Sequence, residues 1–193
     1  MSAITEVTQL VLHERQARDR SWWDQMRECF TPDSTVRLSW FRGSGADFVT
    51  GSQQMAEKGD ATTHRLSPPT VDVHGSRAFV ELPAAIEMRT TLDGTQVDLT
   101  SHARLLYRAE RRADRWQIVS LDPVYERDTL VPSVPDTTLK VDRAALAEYR
   151  PPYRMLSYVF GRLGYDVSDD LYGDDRREQV AELYRSAFIW LRG

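Results

Sequence analysis

Ile4, Val7, Leu10, Val11, Glu14 and Ala17 are spaced so that their apolar members share one helical face. Arg20 and Ser21 interrupt this stripe, and Ser21 is placed to cap a second helix over 22–30, with Trp23, Met26 and Phe30 on its apolar side. Thr31-Pro32-Asp33 then ends it. From Val36 the period changes to two: Val36, Leu38 and Trp40 alternate with Arg37, Ser39 and Phe41, as in a half-buried strand. Gly43-Ser44-Gly45 turns the chain, and 51–59 reads as one more short helix.

Four strands are predicted next. The first covers 62–73, broken at Pro68-Pro69. The second, 78–89, carries Val80, Leu82, Ala84, Ile86 and Met88 on one face, and Asp93-Gly94 signals a hairpin. The third, 96–108, places Val97, Leu99, Ser101, Ala103, Leu105 and Tyr107 on one face, with Asp98, Thr100, His102, Arg104 and Arg108 on the other. The fourth covers 116–125. Helices first and hairpin-joined strands afterwards predict an α+β fold with a mostly antiparallel sheet. Two prolines and no periodicity mark 128–138 as surface connection, so the chain divides into a domain at 1–130, a linker at 131–141 and a helical extension at 142–193. That extension offers helices at 142–148 and 153–163 and a third capped by Asp174 or Asp175, with Val180, Leu183, Tyr184, Ala187, Phe188 and Leu191 on its apolar face. At about 50 residues it is too small to fold alone, so it is expected to pack on the preceding domain or on a partner subunit.

The composition narrows the function classes. With 193 residues and 41% hydrophobic content the chain can bury a real core. Its net charge of −4 gives no electrostatic support for nucleic-acid binding. One cysteine excludes an intramolecular disulfide framework, and four scattered histidines (His13, His64, His74, His102) make no metal-ligand spacing. No apolar run is long enough to span a membrane, and the opening residues carry no signal-peptide pattern. A soluble cytoplasmic protein is therefore expected, with no membrane partner. Lys58 and Lys140 are the two lysines among 25 basic residues, and this arginine bias points to a GC-rich bacterial genome.

Gln16-Ala17-Arg18-Asp19-Arg20-Ser21-Trp22-Trp23, followed by Phe30-Thr31-Pro32-Asp33, resembles the entry of the SnoaL-like branch of the nuclear-transport-factor-2-like superfamily. Thr62-Thr63-His64 and the closing Tyr107…Trp116-Gln117-Ile118 hairpin resemble it too. The resemblance covers about residues 3–128 and implies a cone: a strongly curved sheet wrapped on a long N-terminal helix, with a deep apolar pocket inside. Scytalone dehydratase, hexachlorocyclohexane dehydrochlorinase, ketosteroid isomerase, polyketide cyclases and non-catalytic binding modules share this form. In the first two an Asp at the end of the first helix pairs with a His at the start of a strand, and these motifs fall on Asp19 and His64. Glu14 and Leu121 stand where the dehydrochlorinase has a Lys and an Arg, which argues against a halide-stabilising cationic site and against dehalogenation.

The resemblance thus implies a dehydratase, isomerase or cyclase needing no cofactor and no metal, acting on a small hydrophobic oxygenated molecule. Imidazole titrates near neutral pH and suits proton removal beside a carbonyl, and a buried carboxylate on its second nitrogen sets its tautomer. The concave side supplies Trp22, Trp40, Phe41, Leu82, Ile86, Ser101, Ala103 and Tyr125 as pocket candidates, with Asp122 near the mouth. His102 falls on the polar outer face, where with Arg104 it is a candidate for a homodimer contact. The competing expectations are a binding or assembly module whose cone is filled or blocked by the tail, and a dioxygenase small-subunit-like protein.

Overall fold

A computed structural model describes residues 2–193. Helix α1 spans Ala3–Asp19, with the Ser2 side chain accepting from the Thr5 amide as its cap. It buries Val7, Val11, Glu14, Arg15, Ala17 and Arg18. Helix α2 (Trp23–Glu28) follows without a side-chain cap. Ser21, the expected cap, has φ 59° and serves as the turn between the helices instead.

Strand β1 (Phe30–Arg37) starts earlier than the alternation predicts and includes Pro32. The proline is tolerated because the register of β1 against its neighbour shifts between Phe30 and Thr35, where no ladder N–H is demanded of it. The chain leaves the strand at Leu38, whose amide donates to the Phe41 carbonyl, so Trp40 and Phe41 sit in a turn and not on a strand. After β2 (Arg42–Ser44), helix α3 (Gly45–Glu57) begins six residues before the expected start and is capped by Ser44. Its first residue must be glycine: a Cβ there would lie 2.5 Å from Ser34 Oγ and 2.6 Å from the Phe30 ring.

Strands β3 (Thr63–Leu66) and β4 (Thr70–His74) are separated at the two prolines and both pair with β5 (Arg77–Leu92). β6 (Thr95–Arg112) and β7 (Arg115–Pro132) complete a curved eight-stranded sheet of order β2-β1-β7-β6-β5-β3, with β4 on β5 and a two-residue β8 (Tyr172–Gly173) on β7. β1 and β8 run parallel to β7, and the other pairs are antiparallel. The fold is thus the α+β arrangement with a mostly antiparallel sheet that the pattern predicts, curved and mixed as the family resemblance implies. β7 runs to Pro132, so 128–132 is strand and not surface connection. Its outer end is held by a full ladder to β6, which outweighs the poor local propensity of Asp128-Thr129. Bulges at His102/Ala103 and Arg108/Ala109 let these long strands bend.

The curl divides the interior into two cores. At the narrow end Val7, Val11, Phe48, Val80, Leu82, Tyr107, Ile118 and Leu121 pack together. At the wide end Met88, Val97, Leu99, Ala103 and Tyr125 meet the chain that follows the cone. There α4 (Arg143–Ala147) and a 3-10 turn (Pro151–Tyr153) lead into α5 (Arg154–Arg162), which buries Leu156, Val159 and Phe160. Asp128 on β7 accepts from the Leu156 amide at 2.8 Å, which ties the start of α5 to the sheet. Helix α6 (Arg177–Arg192) starts after Arg176, not at Asp174 or Asp175, and lies on the opposite face of the sheet. There Ala187 and Leu191 cover Phe79, Leu106 and Val124. Part of the outer face proposed for a dimer contact is therefore taken by this chain's own helix. Arg104 on that face bonds Glu81 and Glu126, and Tyr184 of α6 donates to Glu81 at 2.6 Å.

Candidate functional site

The alternation of β3 places His64 and Leu66 inward and Thr63 and Arg65 outward. His64 lies opposite Ile86 of β5, and the last residue of α1 reaches it. One Asp19 oxygen accepts from the His64 backbone amide at 2.8 Å, and the other lies 2.6 Å from His64 Nδ1. The carboxylate thus joins helix to strand and also holds the ring. The imidazole is 3% exposed and Asp19 16%.

On the other ring nitrogen, Nε2, stands the Arg15 guanidinium, with Nη1 at 3.3 Å. A guanidinium can only donate, so Nε2 accepts and the ring proton sits on Nδ1, facing Asp19. The imidazole is neutral. Burial pushes its pKa down to about 4, with Arg15 and Arg18 adding to the effect against the hydrogen bond that the ring donates to Asp19. Burial opposes the Asp19 charge, but the hydrogen bonds from the His64 ring and amide, with the nearby Arg15 guanidinium, hold its carboxyl below the usual range.

Glu14 is fully buried and grips Arg15 through both carboxylate oxygens, with the Nε contact at 2.5 Å. Tyr107 donates to the same carboxylate at 3.2 Å. Burial alone would weaken the charge of Arg15, but Glu14 more than restores it. Arg18, one turn on, is also buried. It donates to Thr62 Oγ1 at 2.7 Å and contacts the Met55 sulfur at 3.7 Å. Its Nε is buried with no hydrogen-bond partner. Its guanidinium faces the rings of Trp40 and Phe48 at 5.7 and 5.9 Å.

Arg15, Arg18, Thr62 and His64 line a cavity of about 30 Å³ together with Leu38, Ser39, Trp40, Ile86, Leu105, Tyr125, Leu156 and Phe160. Tyr125 accepts from the Ser39 amide at 3.1 Å, and burial pushes its phenol up to about 12, so it stays protonated. The space holds two or three water-sized groups at about 10–15 Å³ each. It is far smaller than the deep pocket expected, because Leu156 and Phe160 of α5 fill the wide end of the cone.

His64, Trp40, Ile86 and Tyr125 line the cavity, and Asp19 sits behind His64. The other candidates do not. Trp22 is 48% exposed, because it stands in the turn before α2. Phe41 packs against Phe48 beside the cavity wall. Leu82 belongs to the narrow core. Ser101 and Ala103 are buried deeper in the wall, and the Ser101 hydroxyl has no partner there. Asp122 pairs in register with Leu106, placing it on the outer face toward Arg37 and Arg108, where burial raises its pKa. Arg15, Arg18 and Thr62 are cavity residues that the sequence reading missed. The signal was present: Val7, Val11, Arg15 and Arg18 follow one another at i+4, i+4 and i+3, so the buried stripe simply turns charged. The cavity therefore carries cations, one position and one turn beyond Glu14, contrary to the expectation drawn from Glu14 and Leu121.

The sequence matches the profile of the SnoaL-like domain over residues 1–122. A PEP2-like protein of Fusarium vanettenii is 31% identical over 186 residues, covering 91% of this chain and 80% of that protein. Pea pathogenicity protein 2 of the same fungus is 30% identical over the same span, with the same coverage. Further relatives come from Emericella nidulans and Aspergillus terreus, so all four matching curated relatives are fungal. This overturns the bacterial origin inferred from arginine usage, which reports base composition and not lineage. Among solved structures, a type 2 hexachlorocyclohexane dehydrochlorinase superposes with TM-score 0.59 at 9% identity, over 72% of this chain and 95% of that one. A candidate scytalone dehydratase of Novosphingobium aromaticivorans gives 0.56 at 13%, over 72% and 89%. These two share the fold. No helix among the described residues is long and apolar enough to cross a membrane. Fold and profile match agree on one assignment: the chain belongs to the SnoaL-like domain family.

Proposed function

We propose that the protein is a cofactor-independent acid/base enzyme of the dehydratase or isomerase kind, with His64 as the base and Asp19 as its positioning partner. The observation that carries this reading is the tautomer: Asp19 at 2.6 Å holds the proton on Nδ1, leaving Nε2 as the acceptor beside a small, largely apolar cavity. Once substrate displaces the long 3.3 Å contact from Arg15, Nε2 takes a proton from carbon beside a carbonyl, and the C–H electron pair moves into an enolate. Asp19 stays ionised and stabilises the imidazolium. The enolate then either expels a β-hydroxyl, which leaves as water with the proton from His64, or is reprotonated at another carbon. The first course is dehydration, the second isomerisation. The substrate is a small, largely apolar carbonyl compound, since Leu38, Trp40, Ile86, Leu105, Leu156 and Phe160 supply an apolar half of the wall.

The test is uptake of deuterium from heavy water, or dehydration, across a panel of small cyclic ketones and β-hydroxy ketones. Loss of a general base costs about 10²–10⁴-fold, so His64→Ala and Asp19→Asn are each expected to lose at least about 100-fold. Folded variants that match the parent, or a parent that accelerates nothing in the panel, overturn the dyad.

A second reading is favoured by one observation, the cavity of about 30 Å³ beneath Leu156 and Phe160. Pockets for ordinary ligands hold about 300–1,000 Å³. On this reading α5 fills the cone and the domain is a binding or assembly module. Leu156→Ala and Phe160→Ala separate the two. Both enlarge the cavity, which speeds turnover of larger substrates if the site is catalytic and does nothing for turnover if it is not.

A further inference from the structure

The charges beside the cavity do not close as pairs. Glu14 is taken by Arg15 through both oxygens, and Asp19 is taken by the backbone and ring of His64. That leaves Arg18 with a hydroxyl, a thioether and two aromatic faces, but no carboxylate within hydrogen-bonding distance. Its Nε has no partner at all and no solvent. A guanidinium buried in this way is destabilising, because desolvation is not repaid by a counter-ion. Burial accordingly pulls its pKa down to about 10, a direction opposite to that of Arg15. It nonetheless remains charged at neutral pH. Buried polar groups in native proteins almost always find a partner. The missing partner here is an acceptor, and it is best a negatively charged one.

We infer that Arg18 is the anion-binding group of this cavity, and that the natural ligand presents a negatively charged oxygen, a carboxylate or an ionised enol or phenol, to its guanidinium. The inference rests on the same cavity as the Asp19–His64 reading and adds the ligand's charge to it. It also explains a mismatch in that reading. An imidazole held down to about 4 by burial and two neighbouring cations is a weak base. An anion seated on Arg18 offsets one of those cations and lifts the basicity of His64 when the substrate is bound. Thr62 fixes the guanidinium plane through Nη1, and Trp40 supports its face.

Formate and formamide are matched probes, each of three heavy atoms and small enough for the cavity as it stands. Titration calorimetry at pH 7.5 and constant ionic strength is expected to show formate binding at least about 10-fold more tightly than formamide, in line with charge-assisted hydrogen bonding. Arg18→Met is expected to bring the two within about 3-fold of each other, while His64→Ala keeps the preference. Saturation with formate is also expected to move the His64 ring titration upward by NMR, and not in Arg18→Met. Equal binding by the wild-type protein overturns the inference without needing any variant. So does a preference that survives Arg18→Met. If the probes bind equally while His64→Ala still abolishes exchange, the anion site falls and the dyad stands. If the preference holds while folded dyad variants turn over normally, the reverse is true.

Discussion

The two halves of α1 bury equally well and do opposite things. Val7 and Val11 are fully buried in the narrow core against the sheet. One and two turns later the same face buries Glu14, Arg15 and Arg18 and ends on Asp19. The first half stabilises the fold by removing apolar surface from water. The second half places ions in a low-dielectric interior, where they hold together only as a network. A stable helix on this sheet would need only the first kind of residue. The cost accepted in the second half is the kind that the proposed acid/base chemistry would require.

The largest effect expected on this contrast comes from Glu14. Glu14→Gln leaves the Arg15 charge buried without its counter-ion and is expected to cost about 3–5 kcal/mol by urea denaturation. Val11→Ala, at the apolar end, is expected to cost about 2 kcal/mol. The two also differ in kind. Glu14→Gln moves the His64 titration further down, because Arg15 is no longer neutralised, whereas Val11→Ala leaves it in place. Equal costs and equal titrations would erase the distinction between the halves.

The next effect is the pH dependence that His64 brings. Its folded-state value of about 4 lies below the ordinary 6.5, so between these limits the unfolded chain binds a proton that the folded chain refuses. Stability from this group is complete above pH 6.5 and is lost as pH falls toward 4. The difference of 2.5 sets an upper bound of about 3 kcal/mol. Asp19, held low, acts in the same sense as acid is added. Asp128 acts in the opposite sense: burial raises it from 3.8 to about 6, so its contribution falls as pH rises through that window. Comparing wild type with His64→Gln in urea at pH 4.5 and 7 isolates the histidine. The variant is expected to lose most of the slope, and an unchanged slope would contradict a buried neutral imidazole.

The smallest effect concerns the cap on the wide end. Asp128→Ala removes the acceptor for the Leu156 amide and is expected to cost about 1 kcal/mol, the usual worth of a helix cap. Hydrogen exchange should quicken in α5 and stay unchanged in the middle of β6. Uniform quickening would mean that α5 does not open separately from the cone.

Much of the architecture was legible along the chain. The period-two alternation of β5 and β6 named the inward residues, and Asp93-Gly94 marked their hairpin at positive φ. The Asp19–His64 pair came from a family resemblance and not from spacing, since 45 positions separate the two. Local boundaries failed where tertiary pairing overrode propensity, as at Pro32 in β1 and Asp128-Thr129 in β7. The charged floor was missed because Arg15 and Arg18, taken alone, read as solvated helix positions.

The order of residues by itself determined which elements form and which side of each strand turns inward, because both depend on short-range periodicity. Which charged groups meet, and how much room they share, was decided only by the folded chain. Arg18 loses its water because Met55, Thr62 and Trp40 arrive from other elements, and the cavity shrinks because α5 returns from more than a hundred residues away. Burial and electrostatic pairing belong to the assembled interior, and no local stretch of sequence contains them.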